Sequence, residues 1–189
     1  MKTLSLNILD IVQNSIRAKA DLISIRIDES AGKDQYLITI NDNGTGIPEE
    51  ILENVTDPFV TTRTRRRMGL GLALLKYHAE IAGGVLKIAS VPDEGTEVSA
   101  AFTFSHIDRQ PLGDISGVLV ILIAGNPDIN FTYRHCTDTG EYIFDTSETK
   151  EFLEVGNLND SGLLKEIKNM INENLHEINA SGVQFETAF

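Results

Sequence analysis

Two stretches, 22–28 and 36–40, set apolar side chains at alternating positions, with Leu22, Ile23, Ile25 and Ile27 in the first. Successive residues of a strand point to opposite faces, so this pattern predicts strands with one covered and one wet face. The Ala-Gly-Lys-Asp segment between them forms turns readily, which predicts an antiparallel pair. A covered face needs a cover, and residues 3–20 provide one. Leu4, Ile8, Ile11, Val12, Ser15 and Ile16 recur at spacings of three and four, the stripe of an amphipathic helix. The first constraint is therefore a helix lying on one face of an antiparallel sheet.

The rest of the chain follows the same scheme. Pro48, Glu49 and Glu50 suit the first turn of a short helix, with the acids near its positive end. Residues 57–68 have no clear period and read as a loop. A strong helix is expected over 70–82, stopped by Gly83 and Gly84. Strands are expected over 85–91 and 96–104 around a Pro-Asp-Glu-Gly turn. Pro111 and Gly113 mark a boundary, after which Asp114 caps a helix to about Ala124. Residues 129–136 and 141–144 form a hairpin, and 160–178 a last amphipathic helix. The fold class is α+β: a two-layer sandwich, mostly antiparallel sheet with helices on one face, over 1–107. A small αββα unit of unknown role follows over 108–189.

Charge and composition narrow the function. A net charge of −12 disfavours bulk binding to nucleic acid or to an anionic membrane. The longest apolar run, 117–125, is far short of the roughly 20 residues of a membrane helix. The amino terminus reaches Asp10 too soon for a signal peptide, and the one cysteine, Cys136, cannot form an intramolecular disulfide. A reducing cytoplasm is the expected compartment.

Three segments carry chemistry. In Asp42-Asn43-Gly44-Thr45-Gly46-Ile47 the Asn-Gly pair signals a hairpin, yet a helix start follows where the second strand should be. Two glycines let the backbone approach a flat ligand, and an aspartate at a strand end can accept from an exocyclic amine such as that of adenine. Asn14, mid-helix, has an amide oxygen suited to Mg²⁺, with Asp10 one turn before it and Arg17 three residues after on the same stripe. Such a stripe is also found as a surface ladder. Residues 63–72 then place Arg63, Arg65, Arg66 and Arg67 ahead of Gly69 and Gly71 at a helix start. Free N–H groups, the helix dipole and forked guanidinium donors all favour phosphate there. Leu74 stands where a third dinucleotide-binding glycine would be, and no GxxxxGK[ST] phosphate loop occurs.

In this order the segments resemble the ATP-binding fold shared by sensor histidine kinases, type II topoisomerases, a heat-shock chaperone family and mismatch-repair ATPases. LDIVQNSIRAKA looks like its N box, DNGTGIP its G1 box, DPFVTTR its F box, MGLGLALLK its G2 box and GTEVSAAF its G3 element. The resemblance implies that Asn14 ligates Mg²⁺ and that Arg17 approaches the phosphates. Asp42 would bind the adenine amine, Gly44 and Gly46 would line the base, and Ile47 would pack on it. Phe59, Thr61 and Thr62 would anchor a lid, with Arg65 among its donors. Gly69, Leu70, Gly71 and Leu72 would wrap the triphosphate, and Thr96 would assist Asp42.

ATP-hydrolysing relatives usually carry glutamate where this chain has Asp10, one methylene shorter, so Asp10 is the candidate general base. Little chain precedes it, so no phosphoacceptor dimerisation unit is expected. His78 reads as a packed or capping histidine, and Tyr133, Arg134, His135 and Cys136 fall on alternating faces of a strand. Three functions compete. The first is an ATP- and Mg²⁺-binding regulatory module that switches a protein partner in signalling, with self-association a further option. The second is a serine/threonine kinase of the anti-sigma-factor type acting on a partner, and the third is a slow ATPase.

Overall fold

A computed structural model describes residues 2–52, 55–56 and 70–183, with the backbone alone at Leu70. In chain order its elements are α1 (Leu4–Arg17), β1 (Leu22–Ser30), β2 (Gln35–Asp42), α2 (Glu49–Leu52), α3 (Leu70–Ile81), β3 (Val85–Val91) and β4 (Gly95–Thr103). There follow α4 (Ile115–Gly125), β5 (Asn130–Cys136), β6 (Glu141–Asp145), α5 (Thr146–Phe152) and α6 (Ser161–Glu177). Six strands form one sheet in the order β3-β4-β2-β1-β5-β6. Every pairing is antiparallel except β1 with β5.

Alternation settles which face is covered. Ile23, Ile25 and Ile27 of β1, Tyr36, Ile38 and Ile40 of β2, Val98, Ala100 and Phe102 of β4, and Phe131 and Tyr133 of β5 are all buried. They share one core with Leu4, Ile8, Ile11 and Val12 of α1 and Leu75 and Ala79 of α3. The outward face carries the Arg26–Asp28 and Arg134–Glu141 ion pairs. Tyr133 and His135 point into the core, where the tyrosine hydroxyl meets His135 Nδ1 at 2.7 Å, while Arg134 and Cys136 both reach Glu141 on the other face.

α1 ends at Arg17, short of the expected span of 3–20. Lys19 adopts a left-handed conformation (φ 62°), and the N–H groups of Lys19 and Ala20 bond back to Ile16 and Ser15. That closure satisfies the last carbonyls and ends the helix just after Arg17. At its other end, the N–H groups of Leu4 and Ser5 donate to Pro111 and Leu112, so the segment after β4 caps α1.

The boundary expected at residue 108 falls between β4 and α4, yet neither sheet nor core stops there. The α4 helix is apolar almost throughout, buries Ile115, Val118, Leu119, Leu122 and Ile123, and returns the chain so that β5 can lie parallel to β1. The 108–189 segment thus adds β5 and β6 to the sheet begun by 1–107. Asp114 caps α4 as expected, accepting from the Gly117 N–H. A further helix, α5, turns the expected αββα order into αββαα.

Buried polar groups tie the two parts together. Glu29 at the end of β1 accepts from the Ser181 N–H (2.7 Å) and Ser181 hydroxyl, and pairs with His135 Nε2 at 3.1 Å. His78 on α3 is also buried, which lowers its pKa; its Nε2 lies 3.3 Å from Gln110 Nε2. Both histidines are structural members of the interior.

Candidate functional site

The site begins where β2 ends. Asp42 lies opposite Thr96 of β4, and Thr96 lies opposite Ser90 of β3, so three polar side chains form a row across neighbouring strands. One Asp42 carboxylate oxygen accepts from the Ser15 hydroxyl at 2.6 Å, and the other from the Gly44 N–H at 3.0 Å. Ser15 is only 3% exposed and comes from α1. A helix residue therefore orients the strand-end carboxylate, and lone pairs on both oxygens remain for a ligand donor.

The loop beyond Asp42 is held by protein on both sides. A Cβ on Gly44 would lie 2.7 Å from the Ala18 carbonyl oxygen. Gly46 has φ +67°, and a Cβ there would lie 2.3 Å from the Val91 carbonyl oxygen. Each glycine thus has a reason inside the fold, whereas composition alone suggested the close approach of a ligand. Backbone bonds from Thr45 N–H to Ala18 and from Asp93 N–H to Thr45 complete the clamp. The Ile47 N–H donates to Ser90 Oγ at 2.8 Å, leaving the Ile47 side chain partly exposed.

Asp10 of the α1 stripe faces the start of α3. A Cβ added to Gly71 would sit 1.8 Å from an Asp10 carboxylate oxygen, so the glycine and the carboxylate are in direct apposition. One turn further along α1, Asn14 Oδ1 accepts from Arg17 at 2.7 Å, and Arg17 also reaches Gln13. Leu72 packs against the core. The C-terminal half of α1 consequently carries Asp10 to the start of α3 and Ser15 to Asp42, drawing segments far apart in sequence together.

Phe59, Thr61, Thr62, Arg65 and Gly69 lie outside the described residues, as do Arg63, Arg66 and Arg67. Ser15 and Ser90 are the members that sequence patterning assigned no role. Ser15 was counted within the apolar stripe of α1. A hydroxyl in a buried stripe needs a partner, and that was the available signal.

The donor set suits a hard cation shared with phosphates. Among the described residues, no group of three or more His, Cys, Asp or Glu side chains is placed to enclose a metal. Asn14 and Asp10, one turn apart on α1, instead offer an amide oxygen and a carboxylate, the latter beside the start of α3. Mg²⁺ is commonly held by one or two protein oxygens together with substrate phosphates.

Residues 2–108 match the family model described as histidine kinase-, DNA gyrase B-, and HSP90-like ATPase. The chain belongs to this ATPase family. It is similar to a putative sensor histidine kinase NtrY-like of Rickettsia conorii, 32% identical over 105 residues, covering 54% of this chain and 17% of that protein. It is also similar to the sensor histidine kinase ZraS of Salmonella typhimurium, 36% identical over 90 residues, covering 47% of this chain and 19% of the other. The chain thus spans less than a fifth of the length of these relatives. A solved structure described as the N-terminal domain of a DNA repair protein shares the fold, with a TM-score of 0.52 at 20% identity over 76% of this chain and 52% of that one. Within the ATPase family the matched region ends after β4, and β5, β6 and α4 to α6 lie beyond it. Among the described residues no helix is long and apolar enough to cross a membrane.

Proposed function

We propose that this chain binds ATP with Mg²⁺ and acts as an ATP-dependent switch in signalling. The observation that carries the proposal is the Asp42 carboxylate, held by Ser15 of the same helix whose Asp10 lies against Gly71 at the start of α3. Asp42 accepts the exocyclic amine of adenine, with Thr96 beside it. Gly44, Gly46 and Ile47 form the wall against the base. The amide oxygen of Asn14 holds Mg²⁺, whose charge offsets that of the phosphates. Arg17 leaves Asn14 to meet the phosphates, and Gly69, Leu70, Gly71 and Leu72 offer N–H groups to them, with Phe59, Thr61, Thr62 and Arg65 forming the lid.

Binding shifts a switch only if the nucleotide prefers one state. Lid closure provides that preference, and the surface built from β5, β6 and α4 to α6 is where a protein partner reads it. A second reading is hydrolysis with Asp10 as general base. The apposition of Asp10 to Gly71 favours it, because it puts a carboxylate beside the N–H groups assigned to phosphate. A third is transfer to a serine or threonine of a partner; the relatives named as histidine kinases support phosphoryl transfer as a reaction type only.

Calorimetric titration with ATP and Mg²⁺ tests the proposal. Asn14→Ala is expected to remove the magnesium-dependent part of the affinity while circular dichroism stays native. Full affinity in that variant would refute the site. Phosphate release that vanishes in Asp10→Asn marks the hydrolytic reading, and γ-phosphate label on an added partner marks transfer.

A further inference from the structure

Ser90 of β3 closes the row that Asp42 and Thr96 begin. Among the described residues its Oγ has three polar neighbours: the Ile47 N–H at 2.8 Å, the Gly95 carbonyl oxygen at 2.9 Å and Thr96 Oγ1 at 2.9 Å. A serine hydroxyl has one proton and two lone pairs, so three bonds exhaust it. The Ile47 N–H can only donate and takes one lone pair. The Gly95 carbonyl can only accept and takes the proton. The bond to Thr96 then forms only if Thr96 gives up its own proton to the second lone pair of Ser90.

That count fixes what Thr96 has left. Its single proton is committed, so toward anything else it is an acceptor. Its cross-strand neighbour Asp42 is a carboxylate, which only accepts once ionised, and it is already oriented by the Ser15 hydroxyl and the Gly44 N–H. We infer that Ser90 is a positioning residue that sets the polarity of base recognition: by holding the Thr96 proton it makes Asp42 and Thr96 an acceptor-only edge, which takes a 6-amino purine and rejects a 6-oxo purine. The inference rests on the nucleotide-binding reading above. An amine offers hydrogens to both acceptors. A carbonyl at the same place sets lone pair against lone pair and leaves the site's polar groups unpaired, which is where hydrogen-bonding sites discriminate most strongly.

The probes are ATP and inosine triphosphate, which carries a carbonyl in place of the 6-amine. Both are titrated with Mg²⁺ into the full chain and its variants. The unaltered chain is expected to prefer ATP by about 100-fold or more. Ser90→Ala frees the Thr96 proton to meet a 6-oxo group and is expected to narrow that ratio by about tenfold. Ser90→Thr keeps the hydroxyl and is expected to retain the original ratio, which loss of packing alone would not explain. Ser90→Cys preserves the volume with a weak thiol, narrows the ratio likewise, and serves if the alanine variant does not fold. ATP binding with an unchanged ratio in the alanine or cysteine variant overturns the polarity assignment, as does equal binding of both nucleotides by the unaltered chain. Binding of neither nucleotide by the unaltered chain overturns the nucleotide reading itself.

Discussion

Ser15→Ala tests whether a residue of α1 really governs a carboxylate on β2. The Ser15 hydroxyl reaches Asp42 at 2.6 Å from a position only 3% exposed. A hydrogen bond to a charged acceptor contributes about 1.5–3 kcal/mol. Alanine is the better helix former, and returns roughly 0.5 kcal/mol at a mid-helix position. The two effects oppose each other, and the hydrogen bond is the larger. The net expected loss is about 1–2.5 kcal/mol, read from urea denaturation followed by circular dichroism at neutral pH. For a chain of this size that lowers Tm by roughly 3–8 °C. The second readout is ATP affinity, expected to fall several-fold because Asp42 keeps only its Gly44 donor and loses its orientation. A variant as stable as the parent would mean that the hydrogen bond has no net effect. A less stable variant with unchanged ATP affinity would mean that Asp42 needs no orienting, and the account of the base site would fail.

Glu29→Ala removes the shared acceptor of His135 and Ser181 and leaves the Nε2 of a fully buried histidine without its partner; a loss of about 3–5 kcal/mol is expected in the same denaturation assay, with Glu29→Gln markedly milder. Gly71→Ala puts a methyl where an Asp10 oxygen now lies; Asp10 must swing away, so any phosphate release should fall further than the melting temperature suggests, as a malachite-green assay would show. Burial works to raise the pKa of Asp114, but the Gly117 N–H, the Ser116 hydroxyl and Lys168 outweigh it and hold the pKa below its ordinary 3.8. A depressed folded-state pKa adds stability above the unfolded value that is lost as pH falls through the folded one. Asp114→Ala should therefore cost about 1 kcal/mol at pH 7 as a lost helix cap, and denaturation curves of variant and parent should converge in strong acid.

Much of the sandwich was legible because its signals are local. Alternation in β1 and β2, the stripe of α1 and the Asp114 cap each lie within a few residues, and each element formed close to its expected bounds. What was not legible depends on distant partners. Nothing in 129–136 states that it will lie parallel to β1, since the register Ile23 to Phe131 and Ile25 to Tyr133 is written only in the matching of two apolar faces. α5 was missed because Thr146–Phe152 is mostly polar and short, and its start depends on Asp145 accepting from Ser147 and Glu148. In the site, residue types pointed to Asp42, Asn14 and Gly71, but Gly44 and Gly46 turned out to have neighbours within the protein. Ser15 and Ser90 were silent because a lone serine acquires meaning only from what the fold sets against it.

The position of β1 also bears on how the molecule is made. Glu29 and His135 meet across 106 residues, and β1 stays an open edge until β5 has left the ribosome. Contacts of such separation form late and slowly, and an unpaired apolar strand invites association with other chains meanwhile. The nucleotide-binding half therefore emerges first but reaches its final shape last, so nascent chains halted before residue 130 should be aggregation-prone and should hold ATP poorly.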